Sequence, residues 1–449
     1  MSAAGWRIGG VRTLADRFSS RANSIGFLRH LLAFDVLVAH TWPLAFGAPS
    51  LGTTLTHKQT DLGTLSVYGF FILSGFLITA SGRKFGIGRF SWHRFLRIFP
   101  GLWVCLLVTA FAIAPVAALI EGRSLGSYLH HSRGPWEYVT ANWFASMSQY
   151  PISGLLSGTP YGHGKPSAFD GSLWSLKYEL LCYVLVGILA VTAVLRRARP
   201  LVSLLAVAGF VVIVFETVSP DVLDLGTLGP LPLLGSFSVG QLVTLGTLFL
   251  FGAVAQLFPN RVPLHPALAV VAGVLLAIGL FVDGFPVIGL PAYAYLLLYA
   301  VVALPAKLHA VGRKRDYSYG VYIYAFPVQQ MLALVGGAAL GAAGFIVVSS
   351  AGSFALAALS WHLVERPAMA LKDLRIGRRR TPEAPPQAEP GTPPAADAES
   401  VLPSQRASSE SQRWSEVPTL PLTAVPERVV AGPGVPGGDA HDPRTPPLG

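Results

Sequence analysis

Charge is what this 449-residue chain has least of: Asp, Glu, Lys and Arg make up 12% of it, against about 25% in soluble domains. That shortage excludes an ordinary soluble fold. Cysteine is almost absent, at two residues. Cys105 and Cys182 both fall inside apolar runs, which excludes a disulfide framework or a metal-ligand spacing and leaves two buried thiols. Acidic residues trail basic ones, 23 to 33. The resulting excess of positive charge sits in short segments between apolar runs, so it reads as a topology signal facing an anionic leaflet and excludes nucleic acid as a partner.

What the chain has is hydrophobic length. Apolar residues make up 52%, and the mean hydropathy is +0.53. Spanning helices need about 20 mostly apolar residues each. Ten such stretches are expected, at 24–46, 64–82, 98–120, 172–194, 201–218, 238–257, 264–281, 286–304, 318–337 and 344–367. The fold class is therefore an all-α, polytopic membrane bundle with the lipid bilayer as its surroundings. The segments between spans test this map. With the N-terminus in the cytoplasm, the inner segments carry 22 Lys+Arg and the outer segments 4, the asymmetry of a multi-pass protein of the plasma membrane with both termini inside. Arg7, Arg12, Arg17 and Arg21 before the first run resemble a signal peptide, but Arg29 and Asp35 interrupt that run and no small-residue cleavage site follows, so the first span is read as retained. Three regions result: a cytoplasmic segment 1–23, a membrane domain 24–370, and a basic, then Pro-rich tail 371–449. The part of the tail from 381 holds 15 of the 35 prolines and few large apolar residues, a composition expected to be disordered. The longest outer segment, 121–171, carries Trp136, Trp143, Tyr150, Tyr161 and His163. It reads either as a folded, sugar-stacking cap or as interfacial anchoring.

Ionisable residues inside spans mark functional sites or their nearest alternatives, snorkelling anchors and packed polar groups. In "FLRHLLAFDVLVAHTW" (27–42), Arg29 and His40 are eleven apart, about 20° from three full turns, and so share one helix face about 16 Å apart along the axis. An imidazole can take a hydroxyl proton near neutral pH, and a guanidinium binds phosphates. Asp35 lies off that face, and His30 falls at the inner interface. "FSWHRFLRIFP" (90–100) carries Arg94 and Arg97, either positive-inside anchors or a phosphate clamp. In "DGSLWSLKYELLCY" (170–183), Ser172, Ser175 and Glu179 line one helix face. Glu179 is a carboxylate that needs a partner, Arg29 or His40, or serves as an acid or base. Gly69, Ser74 and Gly75 allow close helix approach in the second span.

Together these pieces resemble the membrane acyltransferase-3 family, polytopic enzymes that acylate surface or exported carbohydrates. Its Arg, ten residues, then His stands as Arg29 and His40; its "FFxxSGFL" as "FFILSGFL" (70–77); its Arg-x-x-Arg before Pro as "RFLRIFP" (94–100). Its "SLWxLxxE" stands as "SLWSLKYE" (172–179), its ninth-span tyrosine motif as "YSYGVYIYAFP" (317–327), and its terminal "ERP" as Glu365-Arg366-Pro367. Ala325 departs from the pattern, where many members have His. The resemblance covers roughly 24–370 and implies an acyl-CoA donor, acetyl-CoA by preference, and a carbohydrate or glycolipid acceptor. It implies His40 as general base or acyl carrier, with Glu179 orienting it. Arg29 completes the catalytic set, Arg94 and Arg97 hold the donor phosphates, and no metal takes part. The alternative class is a permease or flippase for a glycolipid or metabolite, which the missing internal repeat argues against.

Overall fold

A chain in lipid has to satisfy its backbone N–H and C=O groups internally, so the apolar runs fold as helices. The computed structural model describes residues 11–220, 222, 225–231, 233 and 235–373. Long helices occupy the place of every expected run: α1 Ile25–Phe46, α2 Leu62–Lys84, α3 Ile87–Ile120 with a π turn at Thr109–Ile113, α4 Leu176–Val191, α5 Arg199–Val218, α6 Val239–Leu257, α7 Pro266–Phe281, α8 Leu290–Ala303, α9 Ser318–Leu334 and α10 Gly341–Ser360. Seven of these stretches are long and apolar enough to cross a membrane. That seven leaves out the polar-studded α1 and the shorter α7 and α9. The outward faces are apolar as lipid requires: Leu204, Val207 and Val211 of α5 and Val270, Val271 and Val274 of α7 are exposed. Apart from its first three residues, the expected tail 371–449 lies outside the described residues.

Three differences from the sequence expectation bear on the site. α3 begins at Ile87, eleven residues before the expected entry at 98. Phe90, His93 and Leu96 are buried at helical spacing, so the helix continues past the membrane surface on its packed face. The N-terminal segment is docked: Leu14 N donates to Val262 O at 2.9 Å, Leu14 is fully buried, and the Phe18 ring meets Phe76 edge-on at 4.9 Å. The segment before α6 is a short antiparallel hairpin, β1 Thr227–Leu231 and β2 Gly235–Ser238, pairing Thr227 with Ser238.

The 121–171 segment is a folded cap. Tyr128, Tyr138, Ile152, Leu155, Leu156 and Phe169 are buried. Arg123 donates to the carbonyls of Ser153 and Gly154 at 2.7 and 3.1 Å, and Glu121 accepts from Leu156 N at 2.7 Å. Asn142 and Gln149 exchange hydrogen bonds of 2.7 and 3.3 Å. Trp143 stacks on Trp103 of α3, with centroids 4.5 Å apart. His163 lies against Gly47, whose φ of 63° closes α1 in the left-handed conformation that glycine accepts.

Small residues set the central crossing. A Cβ on Gly75 of α2 would overlap the Phe249 carbonyl, and one on Gly252 of α6 the Ile72 carbonyl. Backbone meets backbone there, as in close membrane-helix crossings. Gly252→Val is expected to destabilise the detergent-purified protein by about 3 kcal/mol. Gly246→Val on the same helix, where a Cβ meets open space, should leave the thermal transition nearly unchanged. Equal transitions for the two variants would remove the crossing as a stability determinant.

Candidate active site

α1 is the axis of the site, and its two ends have different chemistry. Near its start, Arg29 Nη1 lies 3.1 Å from Asp316 Oδ2. Arg97 of α3 donates to the same oxygen at 2.6 Å, and its Nη1 is 3.8 Å from Glu365 Oε2. Glu365 is buried in the π turn Trp361–Glu365 that ends α10 and accepts from Ser360 Oγ at 3.1 Å. The other Asp316 oxygen accepts from Ser318 N and Oγ at 3.2 and 2.6 Å. Burial alone would raise the Asp316 pKa, but Arg29 and Arg97 outweigh it and hold the carboxyl well below its usual range.

His30 locks the loop that carries Asp316. A backbone N–H can only donate, so Tyr317 N at 3.2 Å makes His30 Nε2 an acceptor. His30 Nδ1 then carries the proton and donates to Gly26 O at 2.8 Å. His30 is thus a structural brace between α1 and the start of α9. Tyr293 of α8 donates its hydroxyl to Leu65 O at 3.0 Å, which ties α8 to α2.

Arg29 lines two cavities. The first is an open vestibule of about 360 Å³ between the N-terminal segment, α1, α2 and the 309–316 loop. The second is a narrow inner chamber of about 50 Å³, lined by Ser74, Ser175, Glu179, Ser318 and Tyr322 as well. Glu179 Oε1 accepts from Ser74 Oγ at 3.1 Å and from Tyr183 OH at 2.5 Å. The structure therefore brings Glu179 to Arg29's chamber and not to His40. Gly63 lies against Ala39, the neighbour of His40. Ser74 is eleven residues farther along α2, about 16 Å by helical rise.

Arg94 and Arg97 also part company. Residues three apart on a helix differ by about 60° in direction. Arg97 turns to Asp316 and Glu365. Arg94 turns to the Tyr183 ring, 5.8 Å from its centroid, and lines a separate groove between α3 and α4.

At the far end of α1, His40 meets the Phe326 ring edge-on at 5.2 Å. Phe326 in turn meets Tyr161 of the cap at 5.7 Å and fills the space a side chain on Gly171 would need. His40 Nδ1 is sealed from solvent and has no hydrogen-bond partner among the described residues. Asp61 approaches this end of α1 through Ser50, whose Oγ lies 3.3 Å from the carbonyl of Ala39, the neighbour of His40, and 3.0 Å from Asp61 Oδ1. Asp61 caps α2, accepting from Gly63 N at 2.8 Å, Thr64 N at 3.2 Å, Thr64 Oγ1 at 2.6 Å and Ser50 Oγ at 3.0 Å. Sequence reasoning missed both Asp61 and Asp316. An Asp just ahead of the second apolar run is a helix-start signal, and the short 47–61 connection returns it to the level of His40.

Arg29 faces a vestibule, and His40 on the same helix lies buried beneath the aromatic cap. Comparisons with known proteins identify the chemistry. Residues 23–362 match a family profile described as an acyltransferase domain. The chain belongs to this acyltransferase family. It is 30% identical to nodulation protein 10 of Rhizobium leguminosarum bv. viciae, over 81% of this chain and 98% of that protein. It is 28% identical to an O-acetyl transferase of Shigella phage Sf6, over 77% of this chain and 96% of the phage protein. Acyltransferase MdmB of Streptomyces mycarofaciens matches at 28% over 36% of this chain and 38% of its own. No solved structure matches.

Removing the Asp316 charge leaves the partly buried guanidinium groups of Arg29 and Arg97 facing each other, with Glu365 still beside Arg97. Asp316→Asn is expected to lose about 2–3 kcal/mol of stability in thermal unfolding. The pH sign follows from the depressed pKa. The contribution of Asp316 is complete above its unfolded value of about 4 and is lost only as pH falls below that, through the folded value. The wild-type advantage over Asp316→Asn should therefore be constant from pH 5 to 8 and shrink in stronger acid.

Proposed function

We propose that this acyltransferase is an O-acyltransferase that moves an acyl group, acetyl by preference, from acyl-CoA to a hydroxyl of a carbohydrate or glycolipid. The observation that carries the reading is His40 Nδ1, a buried imidazole nitrogen with no partner among the described residues, at the end of a helix whose other end presents Arg29 to a vestibule. The acceptor oxygen bonds to the thioester carbonyl carbon as His40 takes its proton. The tetrahedral intermediate collapses with loss of the coenzyme thiolate, and His40 returns the proton to sulfur. Asp61, rather than Glu179, stabilises the imidazolium, the part an acidic residue plays in a catalytic triad.

Glu179 ties Ser74 to Tyr183 and shapes the inner chamber that Arg29 also lines. Arg97 positions Asp316 and through it Arg29. Arg94, in its separate groove, receives no donor contact in this reading. The exposed ring of Tyr161 beside Phe326 supports a sugar acceptor on the cap side, since aromatic faces and sugar faces are both flat and partly apolar. The distribution of basic residues, 22 in the expected inner segments against 4 in the expected outer ones, supports a ten-span plasma-membrane topology with both termini and the vestibule in the cytoplasm. The named O-acetyl transferase relative supports oxygen as the acceptor atom.

Membranes holding the protein, incubated with labelled acetyl-CoA and a surface-glycan extract, should transfer label to the glycan. His40→Ala should lower that rate at least about 10²-fold with unchanged protein level and thermal transition. Asp61→Asn keeps a good helix cap but removes the charge, so it should lower the rate without lowering stability. Full activity in a folded His40→Ala protein would overturn the assignment.

A further inference from the structure

The vestibule holds more positive charge than the site so far uses. Arg21, Arg29 and Arg313 line it, and Asp316 is the single carboxylate in its lining among the described residues. That carboxylate is already engaged by Arg29 and Arg97. Arg21 and Arg313 make no ion pair among the described residues, and Arg313 Nη1 donates to the backbone carbonyl of Arg21 at 3.5 Å, which brings the Arg313 guanidinium to the segment that carries Arg21. Cations that line one cavity mouth without a free carboxylate among them favour an anion there. His309 lines the same space, and its Nε2 is shut off from solvent without a hydrogen-bond partner among the described residues. Such a nitrogen is costly to leave unpaired.

The segments that carry these groups are fixed in place. The N-terminal segment is pinned by the Leu14–Val262 hydrogen bond. The 309–316 loop is pinned where Val311 O and Gly312 pack against Gly26, too closely for a Cβ on Gly26. The backbone that carries these groups is therefore held in place around the vestibule.

We infer that the vestibule is a phosphate site for the nucleotide end of the donor, with Arg21 and Arg313 as its charge contacts and His309 as an imidazole N–H donor. The inference rests on the acyl-CoA reading above and goes further, because it places donor selectivity on three residues that no motif marks. Guanidinium groups hold phosphates in paired, charge-assisted hydrogen bonds. The mouth position leaves the thioester end of the donor free to pass Arg29 and enter the inner chamber.

The test separates binding from transfer. Purified wild-type protein, Arg313→Gln and Arg21→Gln, both at exposed positions, are titrated with coenzyme A and with 3′-dephospho-coenzyme A by calorimetry. Acetyl transfer from the two corresponding thioesters is measured in parallel. Wild type should bind coenzyme A roughly tenfold tighter than the dephospho form. Arg313→Gln and Arg21→Gln should lose most of that ratio, with KM for acetyl-CoA raised and kcat unchanged. His309→Gln, which retains an N–H donor, should keep more of it than His309→Leu. Preserved discrimination in both arginine variants would overturn the vestibule site while leaving the acyltransfer reading intact. Coenzyme A binding that depends on Arg21 and Arg313 without any transfer would support the site and defeat the proposed reaction. No coenzyme A binding by wild type would overturn the site.

Discussion

A carboxylate shared by two guanidinium groups underlies the architecture of this protein. Asp316 joins α1 through Arg29 to α3 through Arg97, and Arg97 extends the chain to Glu365 at the end of α10. Charges buried among apolar helices are tolerated only in such closed sets, because an unpaired member bears the full desolvation cost. The geometry follows from that requirement. α10 ends in a π turn that carries Glu365. The loop before α9 is held by His30 in one tautomer. Arg29 is aimed along the boundary of two cavities. None of these features is understandable from its own helix alone.

That dependence explains what could be read in the sequence. Hydropathy located the long helices, because lipid imposes a local rule on each residue. The shared face of Arg29 and His40 was also legible, since it needs only the helical repeat. Partners were not. Asp316 lies in a polar, basic loop far along the chain from Arg29 and Arg97, and its composition gives no reason to single it out. Glu179 was recognised as a carboxylate in need of partners, but the partners are Ser74 and Tyr183, which depend on how α2, α3 and α4 cross. The early start of α3 escaped notice because its first turns are polar on one side and buried on the other. The cap was visible as a long aromatic segment, while its fold depends on hydrogen bonds such as those of Arg123 and Glu121, which have no periodic signature.

The separation of Arg29 and His40 can be argued from two requirements at once. A site that takes a donor from one face and an acceptor from the other needs both groups on one helix face and a large part of the bundle's depth between them. Spacings of four or seven residues keep the face but span only about 6 or 10 Å. Eleven residues keep the face to within about 20° and span about 16 Å. Fourteen would return to a similar angle with more reach, but they would carry the second group to the last turn of α1, which ends at Phe46. There it would lie beside Gly47 and the His163 ring of the cap, past the level where Asp61 and Phe326 approach α1. Eleven is the spacing that places a cation at the vestibule and an imidazole beneath the cap on a helix of this length.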